Sequence, residues 1–457
     1  MGRIRDYIKT NFDQPVSIAP LITFRIVFGL LMFGSIIRFW WRGWVMAVYV
    51  QPKFHFTYMG FEWVRPLGNI GMHLLFACIA VAALMMVFGW LYRLAATVFF
   101  IGFTYVELID VTTYLNHYYF ISLVAFLMIW LPANRAYSFD VYLHPAKRKQ
   151  YVPAWCIGIL RFQMAVVYVF AGLAKLNADW LLEAMPMRIW LPATTHLPLV
   201  GRYMYEAWVA YLFCWFGAAY DLFIVFFLLN RKTRPVAYCF VVIFHVATAV
   251  FFPGIGLFPY VMIVCSLIFF SAGFHEKILS YLPLYDRRSS STLSNDPDYH
   301  YTHKTVFKVA IGIYIFFQLT IPLRFMLYPG HLFWNEEGYR FSWRVMLMEK
   351  SGAAYFTVKD SASHQSFEIN NAAFLTPLQE KMMSTQPDMI LKYAHYLAKA
   401  FKSKGMKKPE VYGEIYVALN GQRSRLFIDS AVNLAAEPLS WTHYHWVLPY
   451  HKEQQFK

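Results

Sequence analysis

Nine stretches of this chain are apolar and approach the length of a membrane span, and no other feature limits its fold as strongly. The hydrocarbon core of a bilayer takes about 20 residues as a helix, and the backbone inside it must satisfy its own hydrogen bonds. The candidate spans run near 18–40, 70–92, 94–113, 117–132, 155–175, 208–229, 235–252, 256–271 and 306–323. The fourth and eighth are short, and Phe252–Gly256, a Pro- and Gly-bearing turn, separates the seventh from the eighth. Only 15% of the 457 residues are charged, well below the quarter usual in soluble domains. The net charge of +15 would suit nucleic acid if it formed a stripe on a soluble fold. It lies between apolar runs instead, so no nucleic-acid partner is expected.

Orientation follows from the short-loop basic residues. With the N-terminus inside, the inner loops hold Arg3, Arg5, Lys9, Arg93, Arg135, Lys147, Arg148, Lys149, Arg231, Lys232, Arg234, Lys277, Arg287, Arg288, Lys304 and Lys308. The outer loops hold only Arg42, Lys53, Arg65, Arg188 and Arg202. The first span is read as a signal anchor, and 287–300 as a flexible inner loop. From about Arg324 the pattern changes to strand-like runs at 355–358, 366–369 and 414–419 and one amphipathic helix near 387–402. The expected fold is a polytopic α-helical membrane protein with about nine transmembrane helices in 1–323 and an extracytoplasmic α+β, β-rich domain in 324–457. Cys78, Cys156, Cys214, Cys239 and Cys265 all lie in apolar segments without CxxC spacing; packing roles are expected, with no disulfide and no metal site.

Ionisable groups inside spans are costly and face the bundle interior. Here they are Arg25, Glu107, Asp110, Arg161, Lys175, Asp221 and His245. Counting depth along each helix predicts an Arg161–Asp221 pair. It also gathers Asn116, His117, Lys175, Glu107 and Asp110 at the outer edge. A desolvated lysine can be a neutral base; the plainer role for Lys175 is a snorkelling anchor.

Several stretches carry a resemblance: FRIVFGLLMFGSIIRFW (24–40), PKFHFTYMGFEWVRPLG (52–68), NHYYF (116–120), YVFAGLAKLNADWL (168–181), FHVATAVFFPGIGLFPYVMI (244–263), LYPGHLFWNEEGYRFSWRVML (327–347) and EIYVALNGQ (414–422). Together, in order over nearly the whole chain, they resemble bacterial homologues of vitamin K-dependent γ-glutamyl carboxylase, with a horizontally transferred transmembrane domain. The resemblance implies a lysine base that deprotonates reduced vitamin K (phylloquinone or menaquinone hydroquinone). O2-dependent epoxidation then generates a strong base that takes a glutamate γ-proton, and CO2 adds. No metal is implied. Lys175 matches the base, His117 the group assisting carboxylation, and Asn116 the residue holding the hydroquinone oxygen. Tyr168 and His245 match cofactor-side residues, and Trp343, Arg340 and Arg344 fall in the motif expected at the glutamate. The implied partners are a glutamate-containing protein or peptide and a membrane quinone. The implied location is a bacterial inner membrane, with the site and C-terminal domain on the periplasmic side.

Two departures matter. The eukaryotic motif has two lysines before Leu-Asp-Ala-Asp-Trp, whereas this chain has Ala174-Lys175 followed by Asn177. Glu336 and Glu337 stand where that motif is neutral, so repulsion of a glutamate substrate is expected, offset by Arg340 and Arg344. Two other readings remain at this point. One is a quinol epoxidase or quinone-dependent oxidoreductase without peptide carboxylation. The other is a non-enzymatic transporter or scaffold, against which the absence of internal repeats weighs.

Overall fold

A computed structural model describes residues 12–282, 304–363 and 365–452. The basic residues Arg3, Arg5, Lys9, Arg287 and Arg288 and the loop 287–300 lie outside the described residues.

The apolar runs form helices that pack mostly against their sequence neighbours. They are α1 (Ala19–Trp41), α2 (Gly68–Phe88), α3 (Tyr92–Ile109), α4 (Asn116–Trp130), α5 (Trp155–Ala174), α6 (Ala207–Leu229), α7 (Arg234–Phe251), α8 (Phe258–Ser266), α9 (Ala272–Ser280) and α10 (Lys304–Thr320). Among the described residues, seven helices are long and apolar enough to cross a membrane. These correspond to seven of the nine runs in the sequence. The other two differ in form. The fourth run is α4, 15 residues and so about 22 Å long, short of a full crossing. The eighth is α8, which continues to Phe269 and then bends by 112° into α9. Phe270 and Ser271 are extended there, which breaks the helical hydrogen-bond ladder. A short antiparallel pair, β1 (Pro15–Ser17) with β2 (Tyr151–Pro153), ties the start of α1 to the start of α5.

The C-terminal region is built on an antiparallel sheet in the order β4-β3-β5-β6, with β3 Lys350–Asp360, β4 Ser366–Glu368, β5 Pro409–Leu419 and β6 Arg425–Leu426. The long β3–β5 ladder runs from Lys350 opposite Leu419 to Asp360 opposite Pro409. Alternate residues Phe356, Val358, Val411, Ile415 and Val417 are buried, because one sheet face is covered by helix. Two helices follow the first hairpin: α11 (Pro377–Met383) and α12 (Pro387–Ser403). The apolar stripe Ile390, Leu391, Ala394 and Leu397 of α12 is fully buried, as its period predicts.

The sheet domain does not hang from a tether. Its core is continuous with Trp180, Met187, Val209 and Cys214 from the membrane domain. Gln379 of α11 donates to the Phe54 carbonyl at 2.6 Å and to Asp110 Oδ2 at 2.9 Å. The same domain end of the bundle therefore carries the ends of α3 and α5 and the start of α6.

Candidate active site

A cavity of about 330 Å³ lies where α5, α6, α7 and α8 meet the segment Val345–Met346. Its walls are almost wholly apolar: Phe213, Phe216, Phe244, Phe258 and Met262 are typical. The polar groups lining it are Lys175, Asp221, Tyr168 and Thr248. Leu212, Phe216 and Ile243 line it and are also exposed on the outer surface of the helix bundle. The cavity therefore opens sideways, between α6 and α7.

Lys175 caps the C-terminus of α5, an end that favours a cation. Its Nζ donates to Asp221 Oδ2 at 2.6 Å and to the Ala171 carbonyl at 3.4 Å, and lies 5.4 Å from the Trp180 ring centre. Lys175 and Asp221 are both buried. Gly172 makes the meeting possible, since a Cβ there would sit 2.6 Å from the Leu222 nitrogen.

This corrects the expected Arg161–Asp221 pair. The depth count assumed that α5 and α6 begin and end at matching levels. Instead α6 starts well beyond the end of α5, and Asp221 comes level with Lys175. Arg161 reaches the carbonyls of Ile268, Phe269 and Phe270 at 2.9, 3.5 and 3.4 Å. Those carbonyls lose their helical partners at the α8–α9 bend. Glu107 and Asp110 share the domain end of the bundle with Lys175 but not its cavity. Asp110 accepts from His55, Thr112 and Gln379, and neither it nor Glu107 lines the cavity. Asn177 caps the turn at Trp180, and Asp179 binds Asn420 and Lys452 of the sheet domain. Neither side chain bonds the Lys175 ammonium, whose partners are Asp221 and the Ala171 carbonyl.

The other cofactor-side candidates divide. Tyr168 lines the cavity; its hydroxyl lies 3.2 Å from His245 Nε2 and 3.4 Å from Ser266 Oγ. His245 is buried behind it, with no partner at Nδ1. His117 is buried with no partner at Nε2, its ring 6.1 Å from that of Phe258 in the cavity wall. Asn116 is already engaged: Nδ2 donates to the Arg344 carbonyl at 2.9 Å, and Oδ1 accepts from the Tyr114 hydroxyl at 3.0 Å.

Residues 335–346 wall three cavities. Val345 and Met346 face the apolar one. Asn335 to Gly338, Arg340 and Phe341 face a more polar cleft of about 240 Å³, shared with Asp388, Lys392 and Tyr444. Glu336, Phe341, Trp343 and Met346 all have positive φ, between 56° and 62°. Each such residue costs about 1–3 kcal/mol, and such strain clusters at functional sites. The two glutamates expected to repel a substrate each have a partner here. Glu336 is paired with Lys350 at 2.8 Å, and Glu337 with His443 at 2.7 Å and the Tyr444 N–H at 2.8 Å. Arg340 does not neutralise them through contact; it grips Asp388 at 2.8 and 3.1 Å and also Gln386. Arg344 stacks on Phe325 at 4.3 Å and lines a different cavity beside α5. Trp343 is buried against Tyr119 and lines none of the three.

Sequence reasoning missed Asp221 as the partner of Lys175. Its signal was present, because it is the one charged residue in the sixth span. Among the described residues no cluster of three or more His, Cys, Asp or Glu is placed to hold a metal ion.

Two family models match the chain. The HTTM domain matches residues 13–274, and the vitamin K-dependent gamma-carboxylase lumenal domain matches residues 303–453. No solved structure matches it.

Proposed function

Since the chain belongs to the HTTM family and carries a vitamin K-dependent gamma-carboxylase lumenal domain, we propose that it is an enzyme that epoxidises a membrane quinol and carboxylates glutamate. It is a multi-pass, gamma-carboxylase-like membrane protein. The observation that carries the proposal is a buried amine, Lys175, lining a cavity whose walls are almost wholly apolar and which opens on the flank of the helix bundle.

The residues fit a reduced quinone. A volume of about 330 Å³ is in the range of small-molecule sites. Aromatic walls suit a fused ring, and the sideways mouth suits a lipid-borne tail. Lys175 Nζ would face a ring hydroxyl, with Phe216, Phe244 and Phe258 around the ring and Tyr168 beside it. When bound, reduced vitamin K supplies the electrons that reduce O2 and a base strong enough to take a glutamate γ-proton. Lys175 accepts a hydroxyl proton at Nζ, which requires a neutral amine. The apolar walls exclude water, so the proton is not exchanged freely. His117 and His245 each keep one buried ring nitrogen without a partner, and they are the candidates to pass a proton during carboxylation. The glutamate side chain is assigned to the polar cleft, and the strained segment 335–346 joins that cleft to the quinone cavity. CO2 is the second co-substrate. The membrane is proposed to be a bacterial inner membrane with the sheet domain in the periplasm.

A second reading, quinol epoxidation without peptide carboxylation, draws on one observation. Arg324, Arg340 and Lys392 of the cleft all make hydrogen bonds within the protein. A glutamate carboxylate would have to share their remaining N–H donors, and the Arg340 charge is already matched by Asp388.

The test is product analysis in nanodiscs supplied with reduced vitamin K, O2, bicarbonate and a glutamate peptide, with Lys175→Ala as control. Epoxide and carboxyglutamate that both vanish in Lys175→Ala support the full activity. Epoxide alone selects the second reading. No Lys175-dependent product removes both and leaves the lysine as an anchor.

A further inference from the structure

We propose that Asp221 is the proton-holding partner of Lys175: it aims Nζ into the cavity and takes the ammonium proton so that the amine can receive another. This rests on the assignment of Lys175 as the base.

The geometry leads to it in three steps. The Nζ–Oδ2 distance of 2.6 Å is at the short end for a charge-assisted hydrogen bond. Both side chains line the same cavity and both are buried. Burying two full charges costs several kcal/mol per ion; a ligand that fills the cavity removes the remaining water from the pair, and a neutral amine beside a carboxylic acid then holds the same single proton without that cost. In a dry cavity the proton can therefore move from Nζ to Oδ2 without entering bulk water. The lysine becomes neutral inside its own ion pair. A hydroxyl proton of the ligand then passes to Nζ; no electron moves, and both residues of the pair end protonated.

The position also argues against a purely neutralising role. The ammonium has two other supports, the Ala171 carbonyl and the Trp180 ring face. The other ionisable groups around the pair are Tyr168 on α5, Cys214 and Tyr220 on α6 and His245 on α7. Tyr168 bonds His245 and Ser266, so the dyad is the unit that carries the mobile proton.

The experiment uses the full chain in nanodiscs. Infrared difference spectra are recorded on adding reduced menaquinone under anaerobic conditions, for wild type, Asp221→Asn, Asp221→Glu and Lys175→Met. Wild type is expected to gain a protonated-carboxyl band that Asp221→Asn and Lys175→Met lack. Under O2, Asp221→Asn is expected to lower kcat for epoxide by about 10²-fold with quinol KM nearly unchanged, and Asp221→Glu to recover part of it. The wild-type rate should be flat near neutral pH, because the proton moves internally. The Asp221→Asn rate should rise with pH, because the ammonium must lose its proton to solvent. A wild-type spectrum without the band overturns the proposal, and so does Asp221→Asn with wild-type kcat and a flat profile. If Asp221→Asn does not fold, the wild-type spectrum and Asp221→Glu decide. A band without any epoxide keeps the dyad and removes the family reaction. Lys175-dependent epoxide without the band does the reverse.

Discussion

Gly172 controls whether a lysine and an aspartate on two different helices can meet. Any Cβ would collide with the Leu222 backbone nitrogen at 2.6 Å, and backbone cannot yield as a side-chain tip can. Gly172→Val should destabilise the protein by about 1–3 kcal/mol and cut Lys175-dependent turnover by separating Nζ from Asp221. Thermal unfolding in detergent and epoxide yield check both. The Arg340–Asp388 pair makes a second prediction at this scale. Burial pushes the Asp388 carboxyl upward, but Arg340 outweighs it and holds the group below its usual value of 3.8. Its stabilisation is therefore fully present above about pH 4 and is lost as pH falls through the lower folded value. Asp388→Asn should lower the melting temperature at pH 7, and the difference from wild type should shrink as pH falls below about 4; a difference that stays constant on acidification would contradict the pairing. Residue chemistry was the most readable part of the sequence, since Lys175, Tyr168 and Asp221 all stand out as polar groups in apolar runs. Partner choice was not readable. Arg161 went to carbonyls released by a helix bend, and no local pattern announces where a distant helix will bend.

At the scale of elements, α6 and α7 form the mouth of the apolar cavity proposed to take the quinol. Ala247 lines it from α7. Ala247→Phe should fill part of the volume, raise quinol KM by roughly tenfold (about 1.4 kcal/mol of lost binding) and leave the melting temperature nearly unchanged. A KM equal to wild type would place the ligand elsewhere. Helix α12 is the opposite case, an element whose burial is its purpose. Leu391 is fully buried under the sheet, so Leu391→Ala should cost about 2–5 kcal/mol, read by unfolding of the sheet domain. The period of its apolar residues in the sequence already marked which side of α12 is covered. The register of α6 against α5 had no such marker, because both helices are apolar around much of their surface.

The whole molecule joins its two regions through polar clasps. Asp110 receives Gln379, and Asp179 receives Asn420 and Lys452. Asp179→Ala strands Asn420 in a buried site, at about 1–3 kcal/mol. Faster amide exchange in 409–426 with unchanged helix content would be the expected signature; unchanged exchange would mean that the apolar contacts alone hold the domain. Some of this architecture follows from the chain read as a string. Apolar runs near 20 residues must become helices in lipid, and a period-2 run must become a half-covered strand. The strand runs at 355–358, 366–369 and 414–419 all fall in the one sheet. What required tertiary structure was every relation between elements. How far α6 slides past α5, where α8 bends, and which cation meets which carboxylate depend on close packing between surfaces far apart in sequence. Lys175 was visible as an unusual residue, but only the approach at Gly172 made Asp221 its partner.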